Sequence, residues 1–121
     1  MNSQIIKFRN AVVNASLAKK SDLEYSSSPL ILDCISVLYQ EGLIQSFVIE
    51  DKKVRIILRN VGGFIAAKDL KATKGSVIMS FDDIARLNSK QKMYLFSTSK
   101  GILSRRDCLK ARVGGVLCLY V

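Results

Sequence analysis

The sequence predicts an α+β fold, with a small N-terminal α/β domain followed by a mainly β domain that carries short helices. Three observations lead there. Apolar residues near the start recur at helical spacing, Val54, Ile56 and Leu58 alternate with neighbours as a strand does, and the second half breaks into short apolar runs between turn residues. With 121 residues, 49% of them hydrophobic, the chain has material for one ordinary domain or two very small ones with a real core.

The first segment, Gln4 to about Leu17, sets Ile5, Phe8, Val12 and Ala15 on one helical face, with Ser3 as the expected N-cap. Leu23 to Tyr25 reads as a short extended piece. Ser28 followed by Pro29 is a strong helix start: Ser accepts an orphan backbone N–H, and Pro lacks the one that would go unpaired. Ile31, Cys34, Ile35 and Leu38 form the stripe of that helix, and Gly42 is its expected stop. Leu43–Ile49 and Val54–Asn60 then form a hairpin through Glu50-Asp51-Lys52-Lys53.

Gly62-Gly63 is the expected boundary, giving domains of residues 1–61 and 62–121. Beyond it lie an apolar run at Phe64–Ala67, a strand at Val77–Met79, and a helical turn opened by Ser80-x-x-Asp83. Met93–Phe96 is another apolar run, and Ser104-x-x-Asp107 starts a helix to about Arg112. Gly114-Gly115 is expected to end it, and Val116–Val121 to form the last strand.

Composition narrows the chemistry. The chain has no histidine, so Ser-His-Asp, Cys-His and His-based zinc sites are excluded. Cys34, Cys108 and Cys118 are scattered without a C-x-x-C and read as small buried hydrophobes in a reducing compartment. No metal site and no cofactor are expected. No apolar run reaches the ~18–20 residues that span a bilayer. Lys and Arg number 19 against 10 Asp and Glu, a net charge of +9 that suits a polyanionic partner. Residues 1–60 hold eight basic and six acidic side chains, residues 61–121 eleven and four. The charge is densest at Lys100, Arg105, Arg106, Lys110 and Arg112.

Among candidate sites, Ala72-Thr73-Lys74-Gly75-Ser76 has the wrong residue order for a phosphate loop. Asp82-Asp83 is read as the acidic first turn of a helix rather than a metal site. Ser97-Thr98-Ser99-Lys100-Gly101 stands apart. Three hydroxyls end an apolar strand, Lys and Gly follow in a turn, and a basic helix comes next, a combination suited to ribose, phosphate and base edges.

Phe96-Ser97-Thr98-Ser99-Lys100-Gly101-Ile102-Leu103-Ser104, then Ala111, Val113-Gly114-Gly115 and the final Tyr120-Val121, resemble the C-terminal signature of the small-subunit ribosomal protein eight family. Phe8-Arg9-Asn10-Ala11 and Glu41-Gly42-Leu43-Ile44 with Phe47 are similar to that family's first helix and its helix-to-strand junction. The resemblance implies a non-catalytic structural protein of the small ribosomal subunit that binds a central-domain stem of the rRNA. It implies shape-specific contacts from Ser97, Thr98 and Ser99, phosphate contact from Lys100, and a turn permitted by Gly101. Gly114-Gly115 would let backbone approach RNA, Arg105 and Arg106 would meet phosphates, and Arg9 and Asn10 would add contacts from the first helix. Neighbouring ribosomal proteins two, five and seventeen are implied partners, with no membrane and no small-molecule substrate.

The chain departs from the family pattern in three places. Val116 stands where the family has Glu, Ser28-Pro29-Leu30-Ile31 replaces a lysine-bearing helix start, and the Ile78-Met79 region lacks a conspicuous Tyr. Those losses point to a divergent organellar member, mitochondrial by preference, with a bacterial origin as the alternative. The acid-free, basic start up to Asp22 has the composition of a mitochondrial targeting peptide, yet it also matches the family's first helix. A free-standing RNA chaperone or regulator is the alternative function.

Overall fold

The computed structural model describes residues 3–58, 70–87 and 93–121, with the side chains of residues 73–76 outside that set. In chain order the elements are α1 (Ser3–Leu17), β1 (Asp22–Ser26), α2 (Pro29–Gln40), β2 (Ile44–Glu50), β3 (Lys53–Leu58), β4 (Lys71–Met79), α3 (Phe81–Ala85), β5 (Tyr94–Thr98), β6 (Gly101–Ser104), α4 (Arg105–Ala111) and β7 (Gly115–Tyr120). They build two antiparallel sheets, ordered β1-β3-β2 and β4-β7-β5-β6. The α+β expectation holds.

The local chemistry explains the N-terminal elements. Ser28 is the N-cap of α2, its Oγ accepting from the Ile31 N–H at 3.3 Å, with Pro29 in the first turn. Gly42 follows the Glu41 C-cap with φ +85°, the left-handed turn that glycine takes at low cost. The β2–β3 hairpin pairs Glu50 with Lys53 across Asp51-Lys52, and Asp51 itself takes φ +54°. Val54, Ile56 and Leu58 are buried, while Arg55 on the other face reaches Asp22 and Glu24 of β1 at 3.8 and 3.5 Å. Those half-exposed pairs add little stability, about 0–1 kcal/mol. Apolar burial dominates.

Period-two alternation sets the C-terminal sheet between two cores. Leu95 and Phe96 are both fully buried, yet they join different clusters. Leu95 belongs with Leu70, Met93, Ile102, Cys118 and Leu119 to a large core shared with Ile5, Phe8 and Val12 of α1 and with Ile35 and Leu38 of α2. Phe96 joins Ile84, Tyr94, Cys108 and Leu117 under α3 and α4. All three cysteines are buried free thiols. Burial, with Cys118 and Asp33 nearby, pushes the Cys34 thiol up to about 12, and burial chiefly raises Cys108 to about 11, so both stay protonated.

Several elements differ in detail from expectation. Ser3 lies inside α1 rather than capping it. The Val77–Met79 strand is the end of a nine-residue β4 whose pairing with β7 shifts register between Ala72 and Val77. Ile102-Leu103 forms a strand of its own, β6, paired with β5. Gly62-Gly63 and Phe64–Ala67 lie outside the described residues. The Ser80 and Asp83 pair is a full capping box: Asp83 N–H donates to Ser80 Oγ at 3.2 Å, and Ser80 N–H to Asp83 Oδ2 at 3.1 Å. Among the described residues no group of acids or cysteines could hold a metal ion, and no helix is long and apolar enough to cross a membrane.

Two outcomes follow from the caps. Ser28→Ala should lower the unfolding free energy by about 1 kcal/mol in denaturant titrations, because an orphan N–H of α2 is left without its acceptor. The hydrogen bonds from Ser80 hold the Asp83 carboxyl below the usual carboxylate range. The stabilisation linked to this depressed pKa is complete above the ordinary value and disappears as pH falls through the lowered one. An NMR pH titration of Asp83 should therefore show a midpoint below the free-peptide value in wild type and only a partial return towards it in Ser80→Ala, whose backbone N–H still donates to the carboxylate.

Candidate nucleic-acid interface

The hydroxyl-rich segment forms the end of the β5–β6 hairpin. Register runs Phe96 with Leu103, Ser97 with Ile102 and Thr98 with Gly101, leaving Ser99-Lys100 as a two-residue turn. Gly101 takes φ +102°, a backbone conformation that L side chains avoid, and this explains glycine there. A Cβ on it would meet only Asp33 Oδ2 of α2 at 4.0 Å. The conformation, rather than crowding, demands the glycine.

Thr98 is spent inside the protein. Its hydroxyl donates to the Gly101 carbonyl at 2.8 Å and accepts from the Lys100 N–H at 3.1 Å, bracing the turn from both ends. Ser99 and Lys100 are exposed, and Ser97 is half-buried. The turn therefore has one hydroxyl that sets its shape, two more near its surface and an exposed ammonium.

Gly114 and Gly115 have an intramolecular reason of their own. A Cβ on Gly114 would lie 2.5 Å from the Met79 carbonyl oxygen, and one on Gly115 would lie 2.6 Å from the Ser97 carbonyl oxygen and 2.8 Å from Thr98 Cγ2. Close approach of β7 to β4 and β5 accounts for both. Nor do they end α4, as the sequence suggested. Arg112 does so, taking a left-handed conformation at φ +57° as C-cap while its N–H donates to the Cys108 carbonyl.

The basic residues of α4 divide by role. Ser104 caps the helix, accepting from the Asp107 N–H at 3.3 Å. Arg105 turns back to α3, donating from Nε to the Ile84 carbonyl at 3.2 Å and from Nη2 to the Ala85 carbonyl at 3.3 Å. Arg106 is 67% exposed and lies 3.8 Å from Glu41 at the end of α2. Lys110 and Arg112 are exposed. Arg9 and Asn10 lie on α1, which packs against α2, β1 and β4. Asn10 is exposed, while Arg9 is half-buried with its Nε enclosed and unpaired among the described residues.

Sequence reading found the turn and the basic helix but missed two features. One is the internal duty of Thr98. Its only signal is the spacing to Gly101, which a β-hairpin makes meaningful and a bare Ser/Thr run does not. The other is Asp33, an acid that α2 brings beside the turn from 68 positions away. No pattern in the chain connects the two.

A family model described as Ribosomal protein S8 matches residues 4–121. The chain belongs to this family. Small ribosomal subunit protein uS8 of Acholeplasma laidlawii is 30% identical over 128 residues, covering 100% of this chain and 98% of that protein. The same-named protein of Geobacter metallireducens is 33% identical over 131 residues, covering 98% and 96%. That of Streptococcus uberis is 27% identical over 129 residues, covering 100% and 98%. The Ser97–Gly101 turn, the α4 helix and both glycines fall within the matched span.

Gly115→Ala should destabilise the protein by about 1–3 kcal/mol in thermal or denaturant unfolding, the usual cost of forcing a methyl into filled space. Gly101→Ala should act differently. With space around the position, its penalty is confined to the left-handed backbone, and Gly101→Asn should recover part of it.

Proposed function

We propose that this member of the S8 family is a structural constituent of the small ribosomal subunit and binds a central-domain stem of the small-subunit rRNA through the β5–β6 turn. The observation that carries the reading is the braced turn: Thr98 holds Ser99 and Lys100 at the surface, beside Ser97, on a fold whose match to the family is nearly end to end. Hydroxyls in a fixed turn suit an irregular stem. The major groove of a regular RNA helix is too deep and narrow to read, so specificity falls to distorted regions and to 2′-hydroxyls.

The geometry supports a division of labour within this reading. Ser97 and Ser99 supply shape-specific hydrogen bonds, and Lys100, Arg106, Lys110 and Arg112 supply charge for phosphates. Arg105 acts in this reading mainly by tying α4 to α3, with whatever charge it adds to the field. Gly114 and Gly115 serve the turn indirectly, by letting β7 sit close against β4 and the turn-bearing β5. Arg9 and Asn10 form a second, smaller contact on α1. Residues 1–61 and 62–121 are taken as the two domains, the second bearing the turn. Ribosomal proteins two, five and seventeen are the expected neighbours, and no catalytic step is assigned.

For the compartment, the organellar, mitochondrial reading rests on the missing charges at Ser28-Pro29-Leu30-Ile31 and Val116. The bacterial relatives accord with the bacterial alternative. Cell fractionation distinguishes the two.

Ser99→Ala should weaken binding to the cognate stem by about 0.5–1.5 kcal/mol for each hydrogen bond it removes, with a smaller effect on a regular duplex. Equal weakening on both RNAs would falsify shape readout. Thr98→Ala should also weaken the stem, yet Thr98→Ser should restore it, because only the hydroxyl is needed to brace the turn. Neutralising Arg106, Lys110 and Arg112 should instead weaken every RNA and flatten the dependence of affinity on salt, by about 0.7–0.9 in slope for each phosphate no longer neutralised. Arg105→Ala should reduce stability more than it changes that slope.

A further inference from the structure

Charge is segregated within the chain in a way the RNA-binding turn does not explain. Residues 21–51 contain six acids, Asp22, Glu24, Asp33, Glu41, Glu50 and Asp51, and no Lys or Arg at all. The remaining residues hold nineteen basic side chains and four acidic ones, a net of +15. The whole of α2 and β2 falls in the cation-free segment. A surface built from them has no side chain of its own with which to neutralise a phosphate.

That surface is also apolar and open. β2 lies at the margin of the sheet ordered β1-β3-β2, and among the described residues it pairs only with β3, so within that set its outer row of backbone N–H and C=O groups has no strand partner. Val48 and Ile49 on this strand are 51% and 56% exposed. Beside them Tyr39 of α2 stands edge-on to Phe47 of β2, with ring centroids 5.8 Å apart. A groove of about 460 Å³ lined by Ser36, Tyr39, Gln40, Ser46 and Phe47 runs between helix and strand. An exposed margin strand with large aliphatic side chains is a liability for a solitary protein, which ordinarily blunts such an edge with Lys, Pro or a cover. Among the described residues β2 carries no Lys or Pro, and its one register irregularity, between Ile44 and Ser46, leaves Phe47–Glu50 regularly paired with β3.

We infer that the β2 edge and the α2–β2 groove are a docking surface for an extended, Lys/Arg-rich polypeptide segment of another protein, which adds a strand to β2. Main-chain hydrogen bonds to the free edge would supply affinity. The partner's apolar side chains would cover Val48 and Ile49, and one would enter the Tyr39–Phe47 groove. The acids select the sign of the partner. Glu50 and Asp51, at the end of β2, have no ion-pair partner among the described residues. A nucleic acid would meet repulsion where a basic strand finds complement.

The inference deepens the reading of the chain as a small-subunit protein, since that setting supplies the partner, but it uses a surface apart from the hydroxyl turn. The test places a photoreactive benzoylphenylalanine at Val48 of the full chain in assembled small subunits and sequences the adduct. The expected adduct is to a different protein, at a segment rich in Lys and Arg. In parallel, Ile49→Lys should reduce binding of a synthetic peptide of alternating Lys and Val to the isolated chain by about tenfold. The same variant should leave affinity for the RNA stem within about twofold of wild type. An adduct to rRNA, to a second copy of this chain or to an acidic segment would overturn the inference, as would no adduct at all. So would a variant that loses stem affinity together with peptide binding. If wild type itself fails to bind the stem while the protein adduct forms, the RNA reading fails and the docking surface stands.

Discussion

The arrangement of this protein depends on a sheet buried on both faces. In β5, Leu95 and Phe96 are adjacent in the chain and therefore point to opposite sides, and both are completely enclosed. One side is covered by α1, α2 and the β1-β3-β2 sheet, the other by α3 and α4. Fully burying a large apolar side chain contributes about 1.5–3 kcal/mol, so two neighbouring residues commit the strand to both layers at once. The β5–β6 turn projects from a strand with no freedom to slip, since a one-residue shift would exchange the two cores. Rigidity at the turn is inherited from packing below it.

Close backbone approach extends that constraint. β7 runs between β4 and β5, and at Gly115 its Cα sits so near the Ser97 carbonyl and the Thr98 methyl that no side chain fits. The same Thr98 presents its hydroxyl to both ends of the Ser99-Lys100 turn. Methyl and hydroxyl of one residue thus join the sheet to the turn, the first by packing on Gly115 and the second by hydrogen bonds. A valine or serine at position 98 would separate the two duties, since valine keeps a methyl without the hydroxyl and serine keeps only the hydroxyl.

Legibility followed the range of the forces involved. The Ser28-Pro29 cap, the Ser80-Asp83 capping box and the alternation of Val54, Ile56 and Leu58 are local, and each was readable because cause and effect lie within a few residues. What escaped was set by tertiary approach. The glycines at 114 and 115 looked like a helix stop, but Arg112 ends the helix and the glycines answer to strands from elsewhere in the chain. Arg105 looked like one of four equivalent cations, but the exposed carbonyls at the end of α3 claim it, and α3 is separated from it by β5 and β6. Asp33 gave no hint of lying beside Gly101. Hydropathy and charge could identify the turn and the basic helix as an ensemble; they could not sort which members were spent on the fold.

That sorting changes the meaning of the net charge. A total of +9 suggests a diffuse polycation, yet it is the sum of −6 over residues 21–51 and +15 over the rest. Arg105 is tied to carbonyls and Arg106 is shared with Glu41, so among the described residues the turn, α4 and its C-cap keep Lys100, Lys110 and Arg112 as exposed cations without an ion pair. In the proposed RNA reading, few fixed phosphate contacts would mean a shallow dependence on salt, with selectivity drawn more from geometry than from counterion release. The acidic, cation-free run through α2 and β2 reaches the turn and α4 as well: Asp33 lies beside Gly101 and Glu41 lies 3.8 Å from Arg106, which trims the positive charge there. In the proposed reading, the hydroxyl turn and α4 would take the nucleic acid and the apolar β2 edge a protein partner, so the chain's own asymmetry would orient it on a polyanion.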